Sequence, residues 1–358
     1  MGVMTAWTIG MLSLTRWEWF KLRRRWMPWI LLAILVVFPQ IGMVSSYFIY
    51  RGDISSSNFE AELVYVAEAE NAEGSRVEVQ FTCADFQNGG MPRSVAALPP
   101  EDRAAVMATI EDQHRVFCED ESGLQESDSR RFFIMPASIY NGLSAASFMG
   151  IIVAIVLAAS VMGTEYSWGT LRTSLVSGVS RRRFLASKVM TLMAVAAGAV
   201  LVTAAVIALT SLLFTLLVRH VGGDLVEGEW AIAFIMVGKT FYAIAPYLML
   251  AVFFAVLTSS TGIGIALALG YYMVEGITAG ILNELLSWFH HVANFMLGPN
   301  VVAWLAHHDV IQATPGIGAD GQLSTIHHFL VILAYALALG AAAFWRFERK
   351  DVTGAKGD

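Results

Sequence analysis

Residues 136–162 read PASIYNGLSAASFMGIIVAIVLAASVM, and residues 163–188 continue as GTEYSWGTLRTSLVSGVSRRRFLASK before another apolar run opens at Val189. The first piece carries no charged side chain. An α-helix rises about 1.5 Å per residue, so about 20 apolar residues cross a hydrocarbon core of about 30 Å. Five more segments reach that length, at 29–50, 189–218, 230–257, 262–286 and 326–345. Residues are 56% hydrophobic and only 15% charged over the 358-residue chain, more apolar than a soluble core requires. None of the six runs alternates apolar and polar residues as barrel strands do. The expected fold is therefore an all-α polytopic membrane protein with six transmembrane helices.

Charge patterning orients them. Residues 51–135 hold 17 Asp/Glu against 7 Arg, which makes this segment strongly acidic. By contrast, the 163–188 segment holds Arg172, Arg181, Arg182, Arg183 and Lys188 against Glu165 alone. Arg16, Lys21, Arg23, Arg24 and Arg25 lie near the N-terminus, and Arg346, Arg349, Lys350 and Lys356 near the C-terminus. Short loops rich in Lys and Arg stay cytoplasmic. Both termini and 163–188 are thus expected inside, and residues 51–135, 219–229 and 287–325 outside. The first apolar run exceeds a signal-peptide core and is followed by no small-x-small cleavage site, so it is expected to be a retained helix.

Residues 1–28 mix Trp17, Trp19, Phe20 and Trp26 with basic residues, the composition of a helix lying in the headgroup layer. Leu12, Trp19, Leu22 and Trp26 can share one of its faces. Its place directly before a membrane helix favours lipid over nucleic acid as partner. Within 51–135, AELVYVAEAE and RVEVQFTC alternate around Asn71-Ala72-Glu73-Gly74, a hairpin pattern, and residues 101–120 read as helix. A small α+β extracytoplasmic domain between helices 1 and 2 is expected. Cys83 and Cys118 both fall in it; one disulfide or two free buried thiols are the alternatives, and the outward setting favours the disulfide. Residues 287–325 are too short and broken for two crossings and read as re-entrant or interfacial helices. Residues 346–358 form a cytoplasmic tail.

Several patterns were weighed as sites. AFIMVGKT at 233–240 fits a loose phosphate-loop pattern but lies inside a membrane-length run without the required strand and turn. Lys239 and Glu275 are intramembrane charges, which face a bundle interior, a cavity or a partner; Glu284 lies nearer the outer interface. Three histidine pairs, His290-His291, His307-His308 and His327-His328, supply possible metal ligands. Adjacent helical residues point about 100° apart, so a pair does not easily share one metal. Interfacial hydrogen bonding is the reading adopted, with no metal assigned. Gly262, Ala266 and Gly270 form a small-residue face for intramolecular packing or a dimer seam. No catalytic set occurs, and a non-enzyme is expected.

Trp168, Leu171 and Leu175 fall on one stripe of a short helix in the 163–188 segment. Gly178 can end this helix, and Ser180 can cap the next. Glu165-x-x-x-Gly169-Thr170-Leu171-Arg172, then Leu175-x-x-Gly178-x-Ser180-Arg181 and Lys188, resembles the signature of ABC-2-type transporter permeases. The six crossings, basic N-terminal helix, broken outer helices and terminal Phe347-Glu348-Arg349-Lys350-Asp351 are similar to that family too. The resemblance implies an exporter subunit in a bacterial-type plasma membrane, working as a homodimer or heterodimer with two separate ATP-binding-cassette subunits. It also implies that ATP and Mg²⁺ bind in those partners, with no cofactor held by this chain. Residues 165–178 would be the coupling helix, anchored by Trp168, Leu171 and Leu175. Arg172, Arg181, Arg182 and Arg183 would make charge contacts, and Glu165 would fix the start of the element by capping or pairing. A ligand-sensing receptor or assembly protein using the outer domain, and a metal-handling protein using the histidines, are the alternatives.

Overall fold

The computed structural model describes residues 2–60, 65–70, 76–81, 92–96, 98–99, 102–103, 106–107, 132–167, 169, 179–217, 229–286, 288–306 and 324–350. Helix α1 covers Gly2–Arg23 and α2 covers Trp26–Glu60. Strands β1 (Tyr65–Glu70) and β2 (Arg76–Phe81) and the single helical turn α3 (Arg93–Ala96) follow. The long helices α4 (Ala137–Ser167), α5 (Arg181–Leu217), α6 (Glu229–Thr258) and α7 (Thr261–Leu285) come next. The short helices α8 (His290–Ala293) and α9 (Leu297–Ala306) lead to α10 (Thr325–Arg349). Among the described residues six helices, α2, α4, α5, α6, α7 and α10, are long and apolar enough to cross a membrane. Six crossings bring α1 and the end of α10 to one side, the terminal end of the bundle; the opposite side is its far end.

Two helices make the centre. The most apolar window of α4 is 72% buried and that of α6 is 61% buried, against 17% for α2, α7 and α10. The reason lies in the small residues of α4, which let neighbouring backbones approach closely in lipid. The extreme case is Gly163, where a Cβ would stand 2.5 Å from the Thr261 Cα at the start of α7. Only glycine permits that approach. Beside it, α6 turns into α7 through Ser259, with φ of 56°, and Ser260, whose side chain accepts from the Ile263 amide. The far ends of α2, α4 and α5 meet around Tyr47, Phe133 and Phe214, with Tyr47 stacked on Phe214 at 4.9 Å. Ser138 donates to Ser211 there (2.6 Å) and Ser211 to the Phe133 carbonyl (2.9 Å), satisfying two hydroxyls that are buried among apolar groups.

Several boundaries differ from the sequence reading. The helix read as 29–50 starts at Trp26 and continues to Glu60; no proline interrupts residues 51–60, although Gly52, Asp53, Ser55, Ser56, Ser57 and Asn58 are weak helix formers. Residues 51–60 therefore continue α2 beyond the apolar span, which ends at Ile49. Further on, β1 and β2 pair antiparallel, Tyr65 opposite Phe81 and Glu70 opposite Arg76, as the alternation indicated. Helix α3 packs against β2. Among the described residues a hairpin and one helical turn do not amount to the expected α+β domain. Cys83, Cys118 and most of the expected 101–120 helix lie outside the described residues.

The face assigned to the N-terminal helix is also corrected. Helix α1 ends at Arg23, so Trp26 opens α2 and is 83% exposed. Glu18 and Leu22, four residues apart, form the buried face, while Trp17, Trp19 and Phe20 are exposed. On α7 the buried small residues are Gly264, Ala268 and Ala279, with Gly264 set close against Ala255 of α6. Gly262 and Ala266 are exposed, and a Cβ at Gly262 or Gly270 would have nothing within 4 Å. Intramolecular packing does not use that stripe.

Candidate functional site: the charged terminal end

The 163–188 segment is less of a loop than its composition implied. Helix α4 runs on to Ser167 and α5 begins at Arg181, so Glu165 and Lys188 both sit on long helices. Helix α1 packs along α5 and brings Glu18 and Lys21 to the same place. The four side chains close a ring of alternating charge. Lys188 Nζ lies 2.7 Å from Glu165 Oε1 and 2.8 Å from Glu18 Oε2. Lys21 Nζ lies 2.6 Å from Glu18 Oε1 and 3.6 Å from Glu165 Oε1. Two carboxylates balance two ammonium groups. Lys188 is only 1% exposed and stands 5.0 Å above the Phe184 ring, whereas Lys21 is the partner nearest the surface. Buried charge is tolerated only when paired and hydrogen-bonded, and this ring meets that condition with groups from three helices.

A second set of contacts straps the end of α10 to the same region. Arg181 Nη1 donates to the Glu348 carbonyl (2.8 Å) and the Lys350 carbonyl (2.6 Å). Arg182 pairs with the Glu348 carboxylate through two guanidinium nitrogens, a fork geometry suited to carboxylate. Phe184 stacks on Phe347 with ring planes 9° apart. Lys350 donates to the Val256 carbonyl at 2.6 Å and to the Leu257 carbonyl at 3.2 Å, at the C-terminal end of α6, where a helix attracts cations. Burial holds the Lys350 ammonium below the usual lysine range, and Arg346 repels it further in the same direction. Arg25 reaches Thr164 on α4 at 3.2 Å. Helices α1, α4, α5, α6 and α10 are each tied to a neighbour at this end by a polar contact.

The predicted residues distribute as follows. Glu165 does pair with a basic group, Lys188, and with Lys21 besides. Gly169 turns the chain out of α4 with φ of 65°, a conformation that favours glycine, and its amide bonds the Tyr166 carbonyl at 3.3 Å. Ser180 directly precedes α5, and its carbonyl accepts from the Phe184 amide. Arg181 and Arg182 are turned toward the end of α10. Trp168, Thr170, Leu171, Arg172, Leu175 and Gly178 lie outside the described residues. Glu18 escaped the sequence reading. Its signal was a lone acid among basic residues, three before Lys21 on the same helical face.

At the far end the histidines have other work. His327 Nε2 meets the Asn294 carbonyl at 2.8 Å, and His328 Nδ1 meets Asn300 Oδ1 at 2.8 Å. Asn300 donates through Nδ2 to the Asn294 and Met296 carbonyls, so its Oδ1 is the acceptor and His328 carries its proton on Nδ1. His290 and His291 lie against each other with ring centroids 3.9 Å apart. Among the described residues no group of three or more His, Cys, Asp or Glu is arranged to hold a metal; His307 and His308 are not among them. Lys239 and Glu275 are both buried, at opposite ends of α9.

Six apolar helices, a two-helix core and a charged base shared by α1, α4, α5 and α10 define a multi-pass membrane protein. Over residues 12–352 the chain matches the family described as ABC-2 family transporter protein, and it belongs to that family. It is thus a membrane permease subunit of the ABC-transporter class, whose members normally work with ATP-binding-cassette ATPases. Comparison with curated proteins gave no match, and comparison with solved structures gave none.

Proposed function

We propose that this chain is the permease of an exporter driven by two separate ATPase subunits, which dock on the connection between α4 and α5. The observation that carries the reading is the Glu165–Lys188 contact at 2.7 Å. It joins the helix entering that connection to the helix leaving it, and Glu18 and Lys21 add α1 to the same block. A push delivered to the short connection is then passed to three helices together, without being absorbed by bending at its base. Trp168, Leu171 and Leu175 would seat the coupling helix in the ATPase, with Arg172 and Arg183 at its charged rim. ATP and Mg²⁺ belong to the partner. The terminal end faces the cytoplasm, the 51–135 region faces outward with a Cys83–Cys118 disulfide, and the exposed Gly262/Ala266 stripe of α7 forms part of a seam with a second permease.

The docking step is tested with Leu171→Asp combined with Arg172→Glu. The expected outcome is loss of co-purifying ATPase and of permease-dependent ATP hydrolysis, while the permease itself still inserts and is recovered. Undiminished co-purification together with unchanged hydrolysis would remove the 165–178 segment from the coupling path.

A further inference from the structure

The far end holds two buried charges that make no ion pair among the described residues. Glu275 on α7 and Lys239 on α6 are each 5% exposed, and each lies about 15 Å in from the far end of its helix. Charges at such a depth ordinarily pair with each other or with a partner. Here both are directed to one short helix, α9, and to opposite ends of it.

The Glu275 carboxylate lies against the backbone amides of Leu297 and Gly298, the first two residues of α9, and beside the Tyr271 hydroxyl. A Cβ at Gly298 would stand 3.3 Å from Glu275 Oε2, an oxygen that has no hydrogen-bond partner. At the other end, Lys239 Nζ donates to the Trp304 carbonyl at 2.8 Å, in the last turn of α9. The ammonium also stands 4.9 Å from the Trp304 ring centre, and Trp304 Nε1 donates back to the Lys239 carbonyl at 3.3 Å. The first amides and last carbonyls of a helix lack partners within it and carry opposite partial charges. The carboxylate is at the positive end and the ammonium at the negative end.

We infer that Glu275 and Lys239 are positioning residues that seat α9 electrostatically by its two ends. Neither is assigned to substrate or to partner docking, so the inference stands apart from the transport reading. It fixes the order of the charges, because the helix dipole has a direction. A direct ion pair would tolerate exchange of the two residues; a helix seat does not.

The experiment measures hydrogen exchange in the full-length protein in detergent micelles, following amides of residues 297–304 with those of α4 as internal reference. Glu275→Gln and Lys239→Met are each expected to speed α9 exchange roughly five- to tenfold and to leave α4 unchanged. Lys239→Arg, which keeps the charge, is expected to stay within about twofold of the parent. The exchanged pair, Glu275→Lys with Lys239→Glu, is expected to be faster than either single change. Parental exchange in both neutral variants would overturn the proposal. So would acceleration of equal size in α4, which reports general loosening, or restoration of the parental rate by the exchanged pair. Should the exchanged pair fail to insert, the single variants decide.

Discussion

The two halves of this bundle face the same physical difficulty, charged side chains buried in a low-dielectric interior, and they resolve it differently. At the terminal end, Glu18, Lys21, Glu165 and Lys188 neutralise one another in a closed ring contributed by α1, α4 and α5. At the far end, Glu275 and Lys239 stay apart and are matched to the two ends of a ten-residue helix, while Asn300 and His328 knit α9 to α10 with neutral hydrogen bonds. A closed ring makes its three helices one mechanical block, since displacing any one separates opposite charges. A short helix held by its ends is a replaceable part: it can shift while the long helices keep their packing. The comparison teaches that stiffness at the terminal end and independence at the far end are built from the same few residue types.

The sharpest way to break the comparison is Lys188→Met. It removes the 2.7 Å partner of Glu165 and the 2.8 Å partner of Glu18, and it costs about 3–5 kcal/mol if the ring behaves as a buried ion network. Thermal unfolding in detergent should show a large drop in midpoint, and an unchanged midpoint would show that the ring is not what holds the block together. At the far end, Asn300→Ala strips hydrogen bonds from the buried His328 ring and from two carbonyls, with an expected loss of about 1–3 kcal/mol. That loss should be read mainly as faster proteolysis or exchange near 290–306. Uniform destabilisation of the whole bundle would instead mean that α9 is no separate part. The smallest effect is assigned to Arg182→Ala. Its side chain is 79% exposed and the Glu348 pair is screened, so a barely measurable fall in midpoint that shrinks further with added salt is expected. A loss approaching that of Lys188→Met would place the strap on α10 on equal footing with the ring.

Much of the fold was legible because crossing a bilayer demands length and apolarity, and both are local properties of a sequence. All six spans were visible in that way. Their limits were not, since an apolar run marks the portion of a helix in hydrocarbon and the backbone can stay helical beyond it. Thus α4 carries Glu165 inside its last turn, whereas the start of α5 at Arg181 is where the reading of Ser180 as its cap put it. The histidine pairs were readable as interfacial hydrogen-bonding groups, but not their partners: in space His327 and His328 face different groups, at Asn294 and Asn300. The pairing expected for Glu165 was found in Lys188, but Glu18, the third corner of the ring, was hidden among basic and aromatic neighbours that suggested lipid contact.

The sequence by itself determined six apolar crossings, the gathering of positive charge at one end, and the motif that resembles the family this chain belongs to. These follow from composition and spacing over a few turns of helix. Only the tertiary structure decided which charges meet. Lys188 and Glu18 are 170 residues apart in the chain and 2.8 Å apart in space, and Glu275 and Lys239 find opposite ends of one short helix and not each other. An isolated segment cannot specify such partners, because the free energy of a buried charge depends on what the other segments bring to it.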